Sequence, residues 1–294
     1  MKKARFGFGI ALHLMASMAL LAPPALACNS EGQRVIALGG AVTEIVYALG
    51  AGDRLVAVDS TSRYPQAATK LPDVGYYRQL GAEGLLSLAP DLILADPGAG
   101  PPVVLQQVES TGVCIKRIAE AKGAASIGAR VRDIAKALKR EDAGRILADH
   151  LDARFVAIQK SHAAIGTKPR VLFLLSVAAG APVAAGRNTH ADEIIRMAGA
   201  DNAVSFEGYK PLSPEATAAA VPGALLMMSH AVTEAGGKDT ILTLPSIRFT
   251  PAGRNGQLIA MDGLLLLGFG PRTPDAITTL MDRLHGARHQ PAAP

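Results

Sequence analysis

Two adjacent phenols and a guanidinium, Tyr76, Tyr77 and Arg78, stand in the loop Leu71-Pro72-Asp73-Val74-Gly75-Tyr76-Tyr77-Arg78-Gln79-Leu80. A proline and a glycine bracket the group, so turn chemistry positions it and not a continuing helix or strand. Loops held between rigid elements commonly carry binding groups, and Tyr76 is the residue expected to carry one here. A free phenol ionises only near pH ~10, so a tyrosine acting as an anion at neutral pH needs help, and a guanidinium such as Arg78 favours the anion. In isolation the same decapeptide also reads as half-exposed aromatics packed on a surface. A second aromatic–cation pair, Tyr209-Lys210, and the cations Arg63 and Arg272 fall in other predicted loops.

Hydrophobic patterning supplies the scaffold these loops need. Arg34 to Leu38 is a short β-type run ending in Gly39-Gly40, after which Val42, Ile45, Val46 and Leu49 recur at helical spacing until Gly50 stops the helix. Leu55 to Val58 gives a second strand, the Tyr76 loop follows, and Ala82 to Leu88 is a helix that Pro90 ends. Leu92 to Ala95 and Val113 to Ile118 are further strands. Strands alternating with helices at this rhythm predict a parallel sheet covered on both faces. Ile127, Val131, Ile134 and Leu138 mark a helix over Ala125 to Lys139. Glu141 to about Ala164 forms a longer, charged helix with Leu147, Leu151, Phe155 and Ile158 on one face, read as a rod joining two lobes. Beyond it the class repeats, with strands at Arg170 to Val177, Leu225 to Ser229 and Leu258 to Met261 and helices over Ala191 to Ala198 and Asp275 to Leu284. The expected fold is α/β: two parallel-sheet lobes, residues 28–140 and 167–294, joined by one long helix over 141–166, with a ligand cleft between them.

Residues 1–27 read as a secretory signal: Lys2, Lys3 and Arg5 start it, an apolar run follows to Leu21, and Ala25-Leu26-Ala27 fits the small-x-small cleavage rule. The mature chain then begins at Cys28, where a lipid anchor is the alternative to a free N-terminus, although Ala25 stands where lipoprotein signals have leucine. Formal net charge falls from +5 to +2 on removal, because three cations leave and no acid does. That near-balance gives no argument for a nucleic-acid partner. Elsewhere no apolar run approaches the ~20 residues of a membrane span. Cys28 and Cys114 are the only thiols, and an exported chain with an even count invites a disulfide, the alternative being a lipidated or free Cys28 and a buried Cys114. Their spacing fits no zinc motif, and the mature histidines are scattered, only His285 and His289 sharing helical spacing. The chain also lacks a Gly-rich phosphate loop, Gly-x-Ser-x-Gly, His-Glu-x-x-His and a Cys–His nucleophile pair, so nothing marks an enzyme.

The two halves match in more than rhythm. Leu80, Glu83 and Pro90 keep the spacing of Leu212, Glu215 and Pro222, each glutamate seven residues before its proline, with the following strands in step to within one residue. Counting back, Tyr77 matches Tyr209 and Arg78 matches Lys210. Equivalent loops of two equivalent lobes would face each other across a cleft, where ligands bind in such sheets.

With these features the chain resembles the periplasmic binding proteins of ABC importers whose lobes are joined by a single helix, and within them most resembles the haemin-binding component of bacterial haem uptake. The likeness rests on Gly39-Gly40-Ala41-Val42-Thr43-Glu44-Ile45-Val46-Tyr47-Ala48-Leu49-Gly50, Asp73-Val74-Gly75-Tyr76, Leu80-x-x-Glu83-Gly84, Ala184-Ala185-Gly186-x-Asn188-Thr189, Pro211-Leu212-Ser213-x-Glu215 and Leu267-Gly268-Phe269-Gly270. Much of this pattern is shared with cobalamin and siderophore binders, which are the alternatives; the Gly-Tyr loop and the second-lobe motifs favour haem. The resemblance implies a monomeric periplasmic carrier of haem b, with Tyr76 as axial ligand to ferric iron and Tyr77 at a permissive position. Propionates would meet cations among Arg63, Arg78, Lys210 and Arg272, and Tyr209 would contact the ligand from the second lobe. Phe269 would pack on the ring or in the core. The strand end where some members carry a histidine reads Leu175-Ser176-Val177-Ala178 here. Glu83 and Glu215 match glutamates that dock this importer class onto arginines of the permease dimer; the alternative is two solvated carboxylates at helix starts.

Overall fold

The computed structural model describes residues 30–162, 165–177 and 182–286. The signal segment, Cys28, the residues beyond His162 at the end of the linking helix, and His289 lie outside them. In chain order the elements of the first half are β1 (Val35–Leu38), α1 (Gly40–Ala48), β2 (Leu55–Val58), α2 (Ala82–Leu86), β3 (Leu92–Ala95), α3 (Pro102–Ser110), β4 (Cys114–Arg117) and α4 (Ala124–Ala137). The long helix α5 (Glu141–His162) follows. The second half holds β5 (Arg170–Ser176), β6 (Val183–Ala185), α6 (His190–Met197), β7 (Asp201–Asn202), β8 (Tyr209–Pro211), α7 (Pro214–Ala219), β9 (Ala224–Met228), α8 (Ser229–Glu234), α9 (Lys238–Leu242), α10 (Pro251–Arg254), β10 (Leu258–Met261), α11 (Gly263–Leu267) and α12 (Thr273–His285).

The first sheet runs β2-β1-β3-β4 and is parallel throughout. β1 and β3 are buried at every residue, as strands covered on both faces by crossover helices must be. The second sheet, β10-β9-β5-β6-β8 with β7 on β5, is mixed: β6 and β8 pair antiparallel. The expectation of a purely parallel second lobe is corrected there, because β6 and β8 are only three residues long and too short to show a period in sequence. α3 was missed for a related reason, since Pro101-Pro102 reads as a break although proline is well suited to a first helical turn.

One core cluster draws on both halves, taking in Val42 and Ile45 of α1, Ile127 and Ile134 of α4, Leu151 of α5, Ile194 of α6 and Leu280 of α12. Smaller clusters fill the outer faces of each sheet. Of the face expected on α5, Leu151 and Ile158 are buried with Gly144 and Ala148, while Leu147 and Phe155 are half-buried. None of the described helices is long and apolar enough to cross a membrane.

The pseudo-repeat is visible in the backbone. Leu80 and Leu212 are 6% and 7% exposed, Glu83 and Glu215 each take the second position of a short helix, and β3 and β9 both begin two residues after the proline. Ala89 and Val221, each preceding that proline, adopt φ of 44° and 45°, a left-handed conformation unusual for residues with a Cβ.

Candidate functional site

Loops at the carboxyl ends of strands in both sheets enclose a cleft of about 740 Å³. Gly39 after β1, Thr61 after β2, Asp96 after β3 and Glu120 after β4 come from the first lobe; His230 after β9 and Asp262 after β10 come from the second. This is the place where open α/β sheets bind ligands.

The Tyr76 loop is built by short-range chemistry and then tied to the sheet. Val74 N–H donates to the Val58 carbonyl and Ser60 N–H to the Gly75 carbonyl, both at 3.0 Å, carrying the loop along the end of β2. Asp73 Oδ1 accepts from Gly75 N–H at 2.7 Å, and Gly75 turns the chain with φ 89°, which a residue with a Cβ resists. The turn delivers Tyr76 into the cleft with 42% of its surface exposed. Tyr77 meets it edge-on, ring centroids 5.2 Å apart, and packs into the outer core cluster. Arg78 lies 4.7 Å over the Tyr77 ring, and its charge acts on both phenols. Burial pushes the Tyr77 and Tyr209 phenols above their ordinary value, so neither favours its anion.

Arg63, Tyr76, Arg78 and Tyr209 line the cleft, as expected from the sequence. Lys210 and Arg272 do not. Tyr209 and Lys210 are neighbours on β8, so strand alternation sends their side chains to opposite faces, and Lys210 stands 5.5 Å over the Phe206 ring. Arg272, beside the N-terminus of α12, is committed to Glu44 of α1, donating from Nε at 3.0 Å and from Nη2 at 2.5 Å, and stacks 3.6 Å over Tyr64. Phe269 is 1% exposed and takes its core role, stacked on His190 at 4.5 Å. Glu83 and Glu215 are exposed and lie outside the cleft lining. Cys114 opens β4 half-buried and is disulfide-bonded, while Cys28 lies outside the described residues.

Sequence reasoning missed the polar floor of the cleft. Asp96 at the end of β3 is ion-paired with Arg130 of α4, whose side chain is 3% exposed. Burial raises the Asp96 carboxyl above its usual range, against the pull of Arg130. His190 and Glu120 come within 3.7 Å of each other, and His230 stands on the opposite wall. Asp96 had one signal, its place just past a buried strand; Arg130 and His190 had none, because helices that pack through the fold bring them in. Among the described residues no group of three or more His, Cys, Asp or Glu side chains is placed to hold a metal ion.

Solved structures of similar proteins share this architecture. The chain is 44% identical to "Periplasmic heme-binding protein BhuT in complex with two hemes", with a TM-score of 0.82 over 85% of this chain and 97% of the other. It is 39% identical to the periplasmic heme-binding protein RhuT from Roseiflexus sp. RS-1, TM-score 0.83 over 86% and 98%. A protein of Vibrio vulnificus (strain CMCP6) named "Vitamin B12-binding protein" is 31% identical over 276 residues, 90% of this chain and 92% of the relative. The periplasmic binding protein family matches residues 35–264, and with two α/β lobes around a cleft at their strand ends, this chain belongs to it.

Proposed function

We propose that this protein is the periplasmic haem carrier of an ABC importer. Ferric haem b, the transported ligand, enters the inter-lobe cleft with Tyr76 as axial ligand to the iron, Tyr209 contacts it from the other lobe, and the propionates pair with Arg63 and Arg78. The observation that carries this reading is Tyr76, an exposed phenol turned into the cleft by Gly75 beside a guanidinium. A phenolate is a hard anionic ligand suited to a hard ferric centre, and the iron itself supplies most of the drive to ionise it. The solved relatives named for heme support the same ligand. Residues 1–27 export the chain, which acts as a monomer and has no enzymatic role. Glu83 and Glu215, exposed at the same position of α2 and α7, dock it onto an inner-membrane permease dimer.

Haemin titration of the purified apoprotein tests this. A saturable high-spin ferric spectrum with a tyrosinate charge-transfer band is expected, lost in Tyr76→Ala; no such spectrum, or its survival in that variant, would sink the reading. Cobalamin is the second reading, favoured by the Vibrio vulnificus relative's name. It predicts that excess cyanocobalamin displaces haemin, whereas a haem carrier retains it.

A further inference from the structure

The Arg78 guanidinium rests on Tyr77 of its own loop, and a second segment meets it from outside that loop. The segment after β3 clasps the Tyr76 loop: Gly100 N–H donates to the Tyr77 carbonyl and Leu80 N–H to the Gly100 carbonyl, both at 2.9 Å. Within this clasp Gly98, at φ 82°, comes so close to the guanidinium that a Cβ there would stand 2.5 Å from Arg78 Nη1. Two residues earlier, Asp96 lines the same cleft as Arg78 and is ion-paired to the buried Arg130. Asp96 is bonded to the buried Arg130 of α4 and faces His190 and then Arg78 through space, with no ion-pair contact to the latter. Arg130 Nε is buried without a hydrogen-bond partner, so that side chain is not a saturated structural brace.

We propose that the Asp96–Arg130 pair and Gly98 form a seat that fixes the Arg78 guanidinium beside Tyr76, making these three positioning residues for the ligand. The inference rests on the haem reading above. Arginine is flexible and rich in rotamers, and ordering it only when ligand arrives weakens binding. A preformed seat removes that loss, worth about five- to tenfold in affinity for one such side chain. None of the three seat residues need touch haem, because they act through Arg78.

The test is a haemin titration of the paired replacement Asp96→Asn with Arg130→Gln, in the wild-type and the Arg78→Ala backgrounds. Removing both charges together avoids leaving a buried ion unpaired. With Arg78 present, affinity should fall about five- to tenfold and the tyrosinate charge-transfer band should shift; in Arg78→Ala the pair should change affinity less than about twofold and leave the band in place. Gly98→Ala sets a Cβ against the guanidinium but, at φ 82°, also strains the turn, so it is measured in both backgrounds; a shift that vanishes in Arg78→Ala decides the matter if the paired variant fails to fold. Wild-type affinity and band in these variants, or equal losses in both backgrounds, would overturn the seat. Failure of the haem reading looks different, since the wild-type protein would then show no Tyr76-dependent spectrum at all.

Discussion

Replacing Arg272 by methionine tests where the structure puts that cation. Arg272 was expected at the cleft rim, yet it binds the Glu44 carboxylate, which is 4% exposed, and so joins α12 to α1. Arg272→Met keeps an apolar stem over Tyr64 but leaves Glu44 as a buried charge without its partner. Removing one member of a buried pair costs about 3–5 kcal/mol. Glu44 can escape by taking a proton, and this sets a ceiling. Protonation costs about 1.4 kcal/mol per pH unit above the unfolded value of 4.5, hence about 4 kcal/mol at pH 7.5 and about 0.7 at pH 5. The sign follows from burial, which already raises the Glu44 pKa against the opposing pull of Arg272. Without Arg272 it rises further, the folded variant holds the extra proton, and stability relative to wild type recovers as pH falls toward 4.5. Urea unfolding should therefore give a loss of about 3–4 kcal/mol at pH 7.5 and about 1 at pH 5. Glu44→Gln should cost only about 1 kcal/mol, because Arg272 is 23% exposed and remains hydrated over Tyr64. A loss under about 1 kcal/mol at pH 7.5, or an equal loss at both pH values, would refute the reasoning. Haemin affinity of the folded variant should change less than about threefold, since Arg272 does not line the cleft, and a larger loss would return it to the ligand.

Three further outcomes are expected. Glu83→Ala with Glu215→Ala should leave haemin affinity intact and abolish stimulation of the transporter's ATPase; retained stimulation would remove the docking role. Lys210→Ala should bind haemin like wild type while Tyr209→Ala weakens it, because strand alternation turns only the tyrosine into the cleft, and equal losses would contradict that assignment. Burial lowers the His162 pKa, so the unfolded chain takes up that proton first and this contribution to stability falls as pH drops through about 6.5. His162→Gln should consequently lose less stability than wild type between pH 7.5 and 5.5 by urea titration, and identical losses would show that the group does not titrate between the two states.

Local chemistry carried much of the molecule. β2, β3 and β10 lie on the residues expected, because short apolar runs bounded by turn residues declare themselves. The Tyr76 turn needs only Asp73 and Gly75 nearby, and the repeat of Leu80, Glu83 and Pro90 at Leu212, Glu215 and Pro222 survives as matching backbone, left-handed residue included. Counting further back along that repeat held only in part: Tyr77 and Tyr209 both line the cleft, but Tyr77 sits half-buried in a turn while Tyr209 lies on β8, and Lys210, unlike Arg78, is not in the lining. Which cation lines the cleft was decided only in three dimensions, where strand alternation turned Lys210 away and Glu44, 228 residues distant in the chain, captured Arg272. The same holds for the cleft floor, since Asp96 and Arg130 become a pair only when α4 packs back on the first sheet. Periodicity and turn residues record interactions within a few positions, whereas the partner of a buried charge is chosen by desolvation, which exists only once the chain has closed around it.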